Sequence, residues 1–501
     1  MSKISPEILL TFIQLDRSLK TPLYIQLYEE IKKGVFEGML RHGDRMPSTR
    51  SLALEFSVSR NCVLLAFEQL RLEGFLTAAV GAGTYVSEQL NELKPAGKKV
   101  VQQAPAAKLK KKIINRGDFP LHTKFVLDYI GQEATLPFQP SIPSFADFPF
   151  QVWARLAASV YKDIHRLHLG YDSAQGYLPL REALTDYLRM NRSIDCTADQ
   201  IIIVNGSSQA LHLAAELLLK KEEQCWMEDP GYLRAKSAIA RFGAKICPVP
   251  VTREGMDLEY AMTHFPNARL AYVTPSHQYP LGETMPLNAR IKLLKWASDH
   301  QMWIIEDDYE SEFRYVKRPI PALKGLDTFG RVIYVGTFNK TLFPALRIGY
   351  MVLPSAEMAT EFTIAKAVID RQSPVIDQAI LTKFIIEGHF SRHLRRMRLI
   401  YKKAQEDLVL LLQKHLGEQI RISAADAGMH LIIWLLKKHD TPEILRQTRE
   451  RGVMLYAIDE LSVEFRHEGA FFLGFTGFKQ ETMEKAVLIL KEVLSDQKPI
   501  G

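Results

Sequence analysis

The sequence predicts a multidomain fold, in which a small, mostly helical N-terminal unit precedes a large α/β domain with a mostly parallel sheet. Two observations predict this fold class. Residues 20–88 carry helical apolar patterns that end in a glycine-rich hairpin, and the chain beyond residue 118 alternates short apolar runs with longer helical patterns. A length of 501 residues is enough for about two to four domains.

The N-terminal unit has the pattern of two helices joined by a tight turn. Apolar residues at helical spacing predict three helices, over Tyr24–Phe36, Arg50–Phe56 and Arg60–Glu73. The second helix can be capped by Ser48 or Thr49, and Val58-Ser59 forms the turn into the third, as in a helix-turn-helix. The stretch Gly81–Val86 predicts a small hairpin with glycines where a positive φ is needed.

Almost all of the net charge of +7 lies in one short segment. Residues 1–90 carry ten basic and ten acidic side chains, whereas residues 91–118 carry eight basic and two acidic ones. Proline, glycine and lysine runs without periodicity predict a flexible linker over residues 91–118. This basic run is either only solvated or a non-specific contact for DNA phosphates.

The composition narrows the class of protein. No apolar run approaches the ~20 residues of a membrane span, and the N-terminus lacks a secretory signal pattern, so we expect no membrane association. The four cysteines have neither metal-ligand nor disulfide spacing; they are Cys62, Cys196, Cys225 and Cys247. We therefore expect a cytoplasmic protein and predict no metal site.

Four polar groups of residues lie at strand ends or turns in the large domain, which we predict over residues 119–501. They are Gly206–Gln209 after the run Ile201–Val204, Glu228–Tyr232 in a turn, Glu306–Tyr309 after Trp303–Ile305, and Thr337–Arg347 after Val332–Val335. In parallel α/β sheets, ligands bind beyond the carboxyl ends of the strands. Alone, each group has an ordinary explanation, respectively a helix cap, a core aromatic, turn carboxylates and a loop lysine.

Together, the four groups offer complementary chemistry. Hydroxyls and amides at a helix start can bind an anion, and an aromatic side chain can stack on a flat ring. A carboxylate at a strand end can keep a pyridine nitrogen protonated. A lysine that is partly desolvated can attack an aldehyde.

Residues 20–88 resemble the winged helix-turn-helix of the GntR regulators. The resemblance rests on Pro47-Ser48-Thr49-Arg50, Val58-Ser59-Arg60 and Gly81-x-Gly83-Thr84-Tyr85-Val86. It implies a double-stranded DNA operator as the partner of a domain over residues 1–90; a winged helix that binds protein is the alternative. A helix-turn-helix places the start of the second of its two helices, here the predicted helix Arg60–Glu73, against base edges. We therefore predict base contacts from Ser59, Arg60 and Asn61, and phosphate contacts from Arg45 and Arg50.

The four groups, together with Gly176-Tyr177-x-Pro179-Leu180-Arg181, resemble the fold-type-I aminotransferases from about Gly170 to Gly349. The resemblance implies pyridoxal 5'-phosphate as the cofactor and Lys340 as the catalytic lysine that forms its internal aldimine. It further implies a large part over about residues 160–375 and a smaller α+β part over about 376–501. The implied cofactor residues are Asp307 at the pyridine nitrogen, Tyr309 near the ring hydroxyl, Tyr232 on the ring face, and Ser207, Ser208, Thr337 and Arg347 at the phosphate.

A GntR-like winged helix, a basic linker and an aminotransferase-like domain in one chain resemble the MocR subfamily of regulators. The resemblance implies a head-to-tail homodimer that controls transcription with pyridoxal phosphate, or its adduct with an amino compound, as effector. Genes of vitamin B6 or amine metabolism are the implied targets. A working aminotransferase, or a cofactor-free dimerisation platform, are the alternatives.

Two departures from the aminotransferase pattern bear on this choice. Tyr279-Pro280-Leu281-Gly282 stands where Asn-Pro-Thr-Gly is usual, so His277 or Tyr309 would have to replace the asparagine at the ring hydroxyl. Phe472 stands where an arginine usually holds the substrate carboxylate as a bidentate pair. The missing arginine favours sensing of the cofactor over turnover of ordinary amino acids.

Overall fold

The structure is a computed structural model that describes residues 10, 12–19, 21–79, 83–87, 135–167, 169–315, 321–423 and 426–497. It divides into two compact units, residues 1–115 and residues 116–501. The predicted linker over residues 91–118 and the hairpin residues Gly81 and Ala82 lie outside the described residues. The predicted domain limits therefore stay predictions.

Within its described residues, the N-terminal unit contains three helices followed by a hairpin. These are α1 Leu23–Phe36, α2 Thr49–Glu55, α3 Arg60–Leu72, β1 Leu76–Ala79 and β2 Gly83–Val86. Each predicted helix is confirmed to within one residue at either end. Helices α2 and α3 begin at side-chain caps, because Ser48 Oγ accepts a hydrogen bond from Ser51 N and Ser59 Oγ accepts one from Cys62 N.

The large unit is built on a sheet with the strand order β3-β10-β9-β8-β7-β4-β5-β6. The strands are β3 Ile201–Val204, β4 Gln224–Asp229, β5 Lys245–Thr252, β6 Gly255–Met256, β7 Leu270–Val273, β8 Trp303–Asp308, β9 Val332–Thr337 and β10 Gly349–Val352. Strands β5, β4, β7, β8 and β9 pair in parallel. Strand β10 runs antiparallel to β3 and β9, and β6 runs antiparallel to β5, so the predicted mostly parallel sheet is confirmed.

Helices pack on both faces of this sheet. They are α4 Phe150–Lys162, α5 Leu178–Arg192, α6 Ser207–Leu218, α7 Leu233–Arg241, α8 Leu258–His264, α9 Leu287–Asp299, α10 Leu323–Leu326, α11 Ala356–Asp370 and α12 Val375–Ile386. Strand β3 explains the two layers, since Ile202 and Val204 join one apolar core and Ile201 and Ile203 join another. A continuous apolar run is thus buried on both faces, as a parallel sheet requires.

The C-terminal part is a smaller α+β region, as predicted. It contains the helices α13 His389–Leu416, α14 Thr441–Glu450 and α15 Gln480–Asp496, and the strands β11 Ile420–Ser423, β12 His430–Leu435, β13 Tyr456–Ala457 and β14 Ala470–Gly474. The strands form an antiparallel sheet in the order β11-β12-β14-β13. Among the described helices of the whole chain, none combines the length and apolar character that crossing a bilayer requires.

Candidate functional site

A cavity of about 310 Å³ lies at the carboxyl ends of the parallel strands. All eight residues predicted to bind the cofactor line it: Ser207, Ser208, Tyr232, Asp307, Tyr309, Thr337, Lys340 and Arg347. They lie at the ends of β3, β4, β8 and β9 or in the segments that follow them, and these strands end at the same edge of the sheet. The topology therefore brings together residues that are far apart in the sequence.

One end of the cavity has the features of an anion site. Gly206 has a φ of +93°, which lets the chain turn directly from β3 into α6, and Arg347 folds back against it. The Arg347 guanidinium donates to Asn205 O at 2.7 Å, and a Cβ on Gly206 would stand 3.4 Å from the guanidinium. The start of α6, the hydroxyls of Ser207 and Ser208 and this guanidinium thus form one binding corner, which suits a phosphate.

A buried carboxylate lies at the end of β8. Tyr272 Oη donates to Asp307 Oδ2 at 2.8 Å, whereas Asp307 Oδ1 has no hydrogen-bond partner among the described residues. Burial raises the pKa of Asp307 to about 7, although the hydrogen bond from Tyr272 opposes this shift. A proton-bearing ring nitrogen would stabilise the ionised carboxylate here.

The amine of Lys340 is enclosed in the cavity beside Asp307. Its Nζ donates to the carbonyl oxygen of Ser141 at 3.3 Å. Burial lowers the pKa of Lys340, and the negative charge of Glu310 opposes this shift. A lysine with a lowered pKa is neutral more often and is therefore a better nucleophile toward an aldehyde.

Aromatic side chains form another part of the cavity wall. The ring of Tyr232 contacts the edge of Tyr279, with the ring centres 5.8 Å apart, and Tyr279 contacts Tyr309 at 5.9 Å. Tyr309 Oη is buried without a hydrogen-bond partner in the described part of the chain. A buried hydroxyl of this kind needs a partner, so the aromatic wall can both contact a flat ring and hydrogen-bond to a polar group on it.

Sequence reasoning missed several residues that line the cavity. Tyr272 lies inside an apolar strand and has the pattern of a core residue, and Arg234 has that of a surface residue of α7. The segment Gln139–Ile142 lies upstream of every motif that was matched in the large domain. Tyr279 lines the cavity at the position where asparagine is usual. Of the two replacements considered for that asparagine, Tyr309 lines the cavity and His277 is absent from its lining.

The region of the missing carboxylate clamp is apolar. Phe472 is fully buried on β14, where its ring stacks on Tyr456 with the ring centres 5.3 Å apart. Arg466, the nearby arginine in the sequence, is absent from the cavity lining and donates to Asp459 O at 3.1 Å. The guanidinium groups in the cavity lining are instead those of Arg234 and Arg347.

The five residues predicted to contact DNA are exposed on the N-terminal unit. They are Arg45, Arg50, Ser59, Arg60 and Asn61. Arg60 begins α3, and its Nε donates to Thr49 Oγ1 at 3.4 Å, while the Ser59 hydroxyl caps the same helix. Arg45 pairs through its backbone with Tyr85 of the hairpin. The start of α3 and the segment that pairs with the hairpin thus present cationic side chains to solvent, and the DNA contacts themselves stay predictions.

Similarity to known proteins covers both units. Residues 23–86 match the family of bacterial regulatory proteins called gntR, and residues 143–490 match the family aminotransferase class I and II. The chain is 37% identical over 485 residues to the probable rhizopine catabolism regulatory protein MocR of Rhizobium meliloti, covering 95% of this chain and 94% of that protein. The chain belongs to the MocR type of GntR-family transcription regulators. The predicted fusion of a DNA-binding domain and an aminotransferase-like domain is thereby confirmed.

Two further relatives of this MocR-type chain bear on the large domain. The pyridoxine biosynthesis transcriptional regulator PdxR of Corynebacterium glutamicum is 27% identical over 477 residues, covering 95% of this chain and 96% of that one. The structure of LysN, an α-aminoadipate aminotransferase of Thermus thermophilus, is 26% identical with a TM-score of 0.66, covering 72% of this chain and 92% of that one. The large domain therefore has the fold of the pyridoxal-phosphate-dependent class I and II aminotransferases.

Proposed function

We propose that this MocR-type regulator binds pyridoxal 5'-phosphate at Lys340 and that cofactor binding controls its affinity for a DNA operator. The proposal rests on the lining of one cavity by all eight predicted residues, with two buried polar atoms, Asp307 Oδ1 and Tyr309 Oη, left without partners among the described residues. The bound cofactor would supply a reactive aldehyde and a ring that accepts negative charge.

Each part of the cavity suits one group of that cofactor. Arg347 and the start of α6 would hold the phosphate, and Asp307 would keep the ring nitrogen protonated. Tyr309 would hydrogen-bond to the ring hydroxyl and Tyr232 would contact the ring face. Lys340 would bind the aldehyde, and its hydrogen bond to Ser141 O would be given up in doing so.

An amino compound with an acidic group is the effector that this cavity favours beside the cofactor. Arg234 lines the cavity, so a guanidinium lies in its wall although Phe472 occupies the usual clamp position. A guanidinium binds a carboxylate with paired hydrogen bonds.

The same observation supports a second candidate function, a working aminotransferase. Turnover at roughly 1 s⁻¹ or faster would favour the enzyme, whereas a single turnover together with altered DNA binding would favour the sensor.

The test of cofactor binding is a visible-absorption titration of the full chain with pyridoxal phosphate. We expect a saturable absorption band that Lys340→Ala and Lys340→Arg abolish, because neither variant has an amine at this position. Lys295→Ala is the matched control, since Lys295 lies exposed on α9 and should leave the band unchanged. A band of undiminished strength in both Lys340 variants would contradict the assignment.

The regulatory part is tested separately by fluorescence anisotropy with DNA from the region upstream of the gene. We expect the affinity to change when pyridoxal phosphate saturates the wild type, and not to change in Lys340→Ala. Equal affinities with and without the cofactor, in a protein that still shows the absorption band, would remove the effector role and leave cofactor binding intact.

The DNA-binding residues can be separated by their type of contact. Arg60→Ala should weaken binding to the preferred operator by about 1–3 kcal/mol and relax sequence preference, because Arg60 would contact a base. Arg50→Ala should weaken binding to all sequences alike. It should also reduce the slope of log affinity against log salt concentration by about one, as expected for the loss of one phosphate contact. Both variants should keep the visible band. An unchanged operator preference in Arg60→Ala would contradict the base contact.

A second copy of the chain is the proposed partner in solution. Helix α11 exposes Ile364, Val368 and Ile369, and Val368 is 85% exposed, so a monomer would leave an apolar row in water. Val368→Asp should shift the sedimentation coefficient from dimer to monomer. An unchanged coefficient would exclude α11 from the interface.

The relative PdxR, a regulator of pyridoxine biosynthesis, supports genes of vitamin B6 metabolism as targets, and genes of amine metabolism are the alternative. The match to the gntR family of regulators supports a cytoplasmic location. Footprinting on candidate upstream regions distinguishes the two kinds of target.

A further inference from the structure

Three buried ionisable side chains meet outside the cavity lining. His277 follows β7, Glu310 follows β8, and His430 is the first residue of β12. Their exposed fractions are 2%, 0% and 1%. The nearest ring nitrogens, His277 Nε2 and His430 Nδ1, both lie 4.0 Å from Glu310 Oε2. One ligand atom from each residue lies within 4.8 Å of the other two.

The hydrogen bonds of His430 fix which of its nitrogens is free. Its Nε2 lies 2.8 Å from the carbonyl oxygen of Pro280. A carbonyl only accepts hydrogen bonds, so Nε2 carries the proton, and in the neutral ring Nδ1 carries a lone pair. This Nδ1 has no hydrogen-bond partner among the described residues. A histidine that binds a metal usually donates its other N–H to a carbonyl or carboxylate in this manner.

His277 and Glu310 border the same space between the three side chains that His430 Nδ1 faces. Neither ring nitrogen of His277 has a hydrogen-bond partner in the described part of the chain. Glu310 accepts hydrogen bonds from Ser141 Oγ at 2.8 Å and from Met429 N at 3.0 Å, which hold its carboxylate in place. His277 and His430 therefore face a carboxylate oxygen across distances too long for direct hydrogen bonds. Buried polar atoms left in this way are costly and call for a bound group between them.

We propose that His277, Glu310 and His430 bind a divalent transition-metal ion, for which Zn²⁺ is the best match. Two imidazole nitrogens and one carboxylate oxygen form a known three-ligand zinc set that keeps a fourth position open. Bonds of about 2.0–2.2 Å place the ligand atoms of one ion roughly 3.3–3.6 Å apart. The two separations of 4.0 Å from Glu310 Oε2 would therefore close by roughly 0.5 Å on binding, and ligand atoms that lie up to 4.8 Å apart would close by more.

An ion at this point would join two parts of the large unit. His277 and Glu310 follow strands of the large sheet, whereas His430 belongs to the small sheet. Ser141 links the cluster to the cavity, because its hydroxyl donates to Glu310 and its carbonyl oxygen accepts from Lys340 Nζ at 3.3 Å. The ion would thus fix the small sheet against the large one directly beside Lys340.

The test uses the full chain, stripped with a chelator, free of pyridoxal phosphate, and loaded with Zn²⁺ or Co²⁺ alone. Mass spectrometry after gel filtration should find one ion per chain, and the ion should raise the melting temperature. X-ray absorption of the Zn²⁺ form should show nitrogen and oxygen ligands without sulfur. These wild-type measurements decide the matter even where a variant fails to fold. Metal content no higher than that of a non-metal control protein, or a sulfur ligand, would overturn the proposal.

Variants locate the ion. His277→Gln, Glu310→Gln and His430→Gln should each reduce the Co²⁺ affinity by at least about 100-fold, and Ser141→Ala should reduce it by about tenfold through the lost support of Glu310. His393→Gln and Glu228→Gln are matched controls, since both residues are buried and bonded elsewhere, to Thr341 O and to Thr274. Affinities of the three cluster variants equal to those of the controls would show that the ion binds elsewhere and overturn the assignment.

Discussion

Two consecutive buried carboxylates on β8, Asp307 and Asp308, represent two kinds of buried polar group in the large domain: one is paired with a cation of the protein, and the other faces the cavity. Asp307 and Asp308 point to opposite faces of the sheet, as neighbours on a strand do. Asp308 contacts its own cation, Arg192, at 2.6 Å and accepts a hydrogen bond from Tyr334 Oη at 2.7 Å. Asp307 lines the cavity and accepts its one described hydrogen bond from Tyr272.

Unpaired atoms alone do not separate the two carboxylates. Both leave Oδ1 without a hydrogen-bond partner among the described residues. The difference is the direct ion pair: Arg192 pairs with Asp308, whereas among the described residues Asp307 has no such pair and only the charge of Lys340, beyond ion-pair distance, acts on it. A buried carboxylate with a built-in cation serves the fold, whereas one without a paired cation is suited to a ligand that brings positive charge.

The largest expected effect comes from removing the cation of Asp308. Arg192→Met should lower the free energy of unfolding by about 3–5 kcal/mol, because it leaves a buried charge unpaired. Arg189→Met, on the same helix, is the control, since the Arg189 side chain is 58% exposed and its ion pairs are worth at most about 1 kcal/mol. Chemical denaturation measures both.

Adding Asp308→Asn to Arg192→Met should restore part of the stability, because the unpaired charge is then gone. Equal losses in the two single variants, Arg192→Met and Arg189→Met, would show that the countercharge contributes little and would break the comparison.

The next effect concerns Asp307 and depends on pH. The pKa of Asp307 is about 7 in the fold and 3.8 without burial. Between these values the unfolded chain is ionised while the folded chain keeps its proton. The contribution of Asp307 to the stability of the cofactor-free protein should therefore fall with rising pH by up to about 1.4 kcal/mol per pH unit and level off above pH 7.

Asp307→Asn should remove this fall, so the variant becomes more stable than the wild type near pH 7 and similar to it near pH 4. With pyridoxal phosphate the order should reverse, because the amide cannot hold the ring nitrogen protonated. Thermal melts of both proteins at several pH values, with and without the cofactor, make the measurement. Parallel pH profiles for the two proteins would contradict the raised pKa.

The sequence predicted the position of this strand end better than the side-chain partners of its carboxylates. Apolar runs and the motif Glu306–Tyr309 located the strand end, although the predicted strand stopped at Ile305 and the observed one continues to Asp308. Charged residues usually indicate the end of a buried strand. Here the strand continues, because Asp308 pairs with Arg192 and Asp307 lines the cavity. Strand alternation places the two carboxylates on opposite faces. Because Arg192 lies on a helix far upstream, however, no local pattern could show which of the two is paired with a cation.

Prediction of the cavity lining from the sequence has the same limit. Motifs at strand ends located eight lining residues, since parallel strands bring their carboxyl ends together. Arg234 and the segment Gln139–Ile142 were missed, because a helix arginine and an irregular segment carry no periodic signal. The antiparallel strand β10 was missed as well, since strand direction depends on pairing rather than on composition.

The smallest expected effect tests whether Tyr272 is part of the Asp307 site or only of the core. Tyr272→Phe removes one buried hydrogen bond to a carboxylate and keeps the buried ring that packs in the apolar core. The pKa of Asp307 should rise further, because that hydrogen bond favours the ionised form.

The affinity for pyridoxal phosphate should fall by about fivefold, which corresponds to roughly 1 kcal/mol. Tyr334→Phe is the matched control, since Tyr334 donates in the same way to Asp308 on the other face. It should change stability by a similar amount and leave cofactor affinity unchanged. Equal losses of cofactor affinity in both variants would mean that the two faces are coupled, and the separation between a fold carboxylate and a ligand carboxylate would then fail.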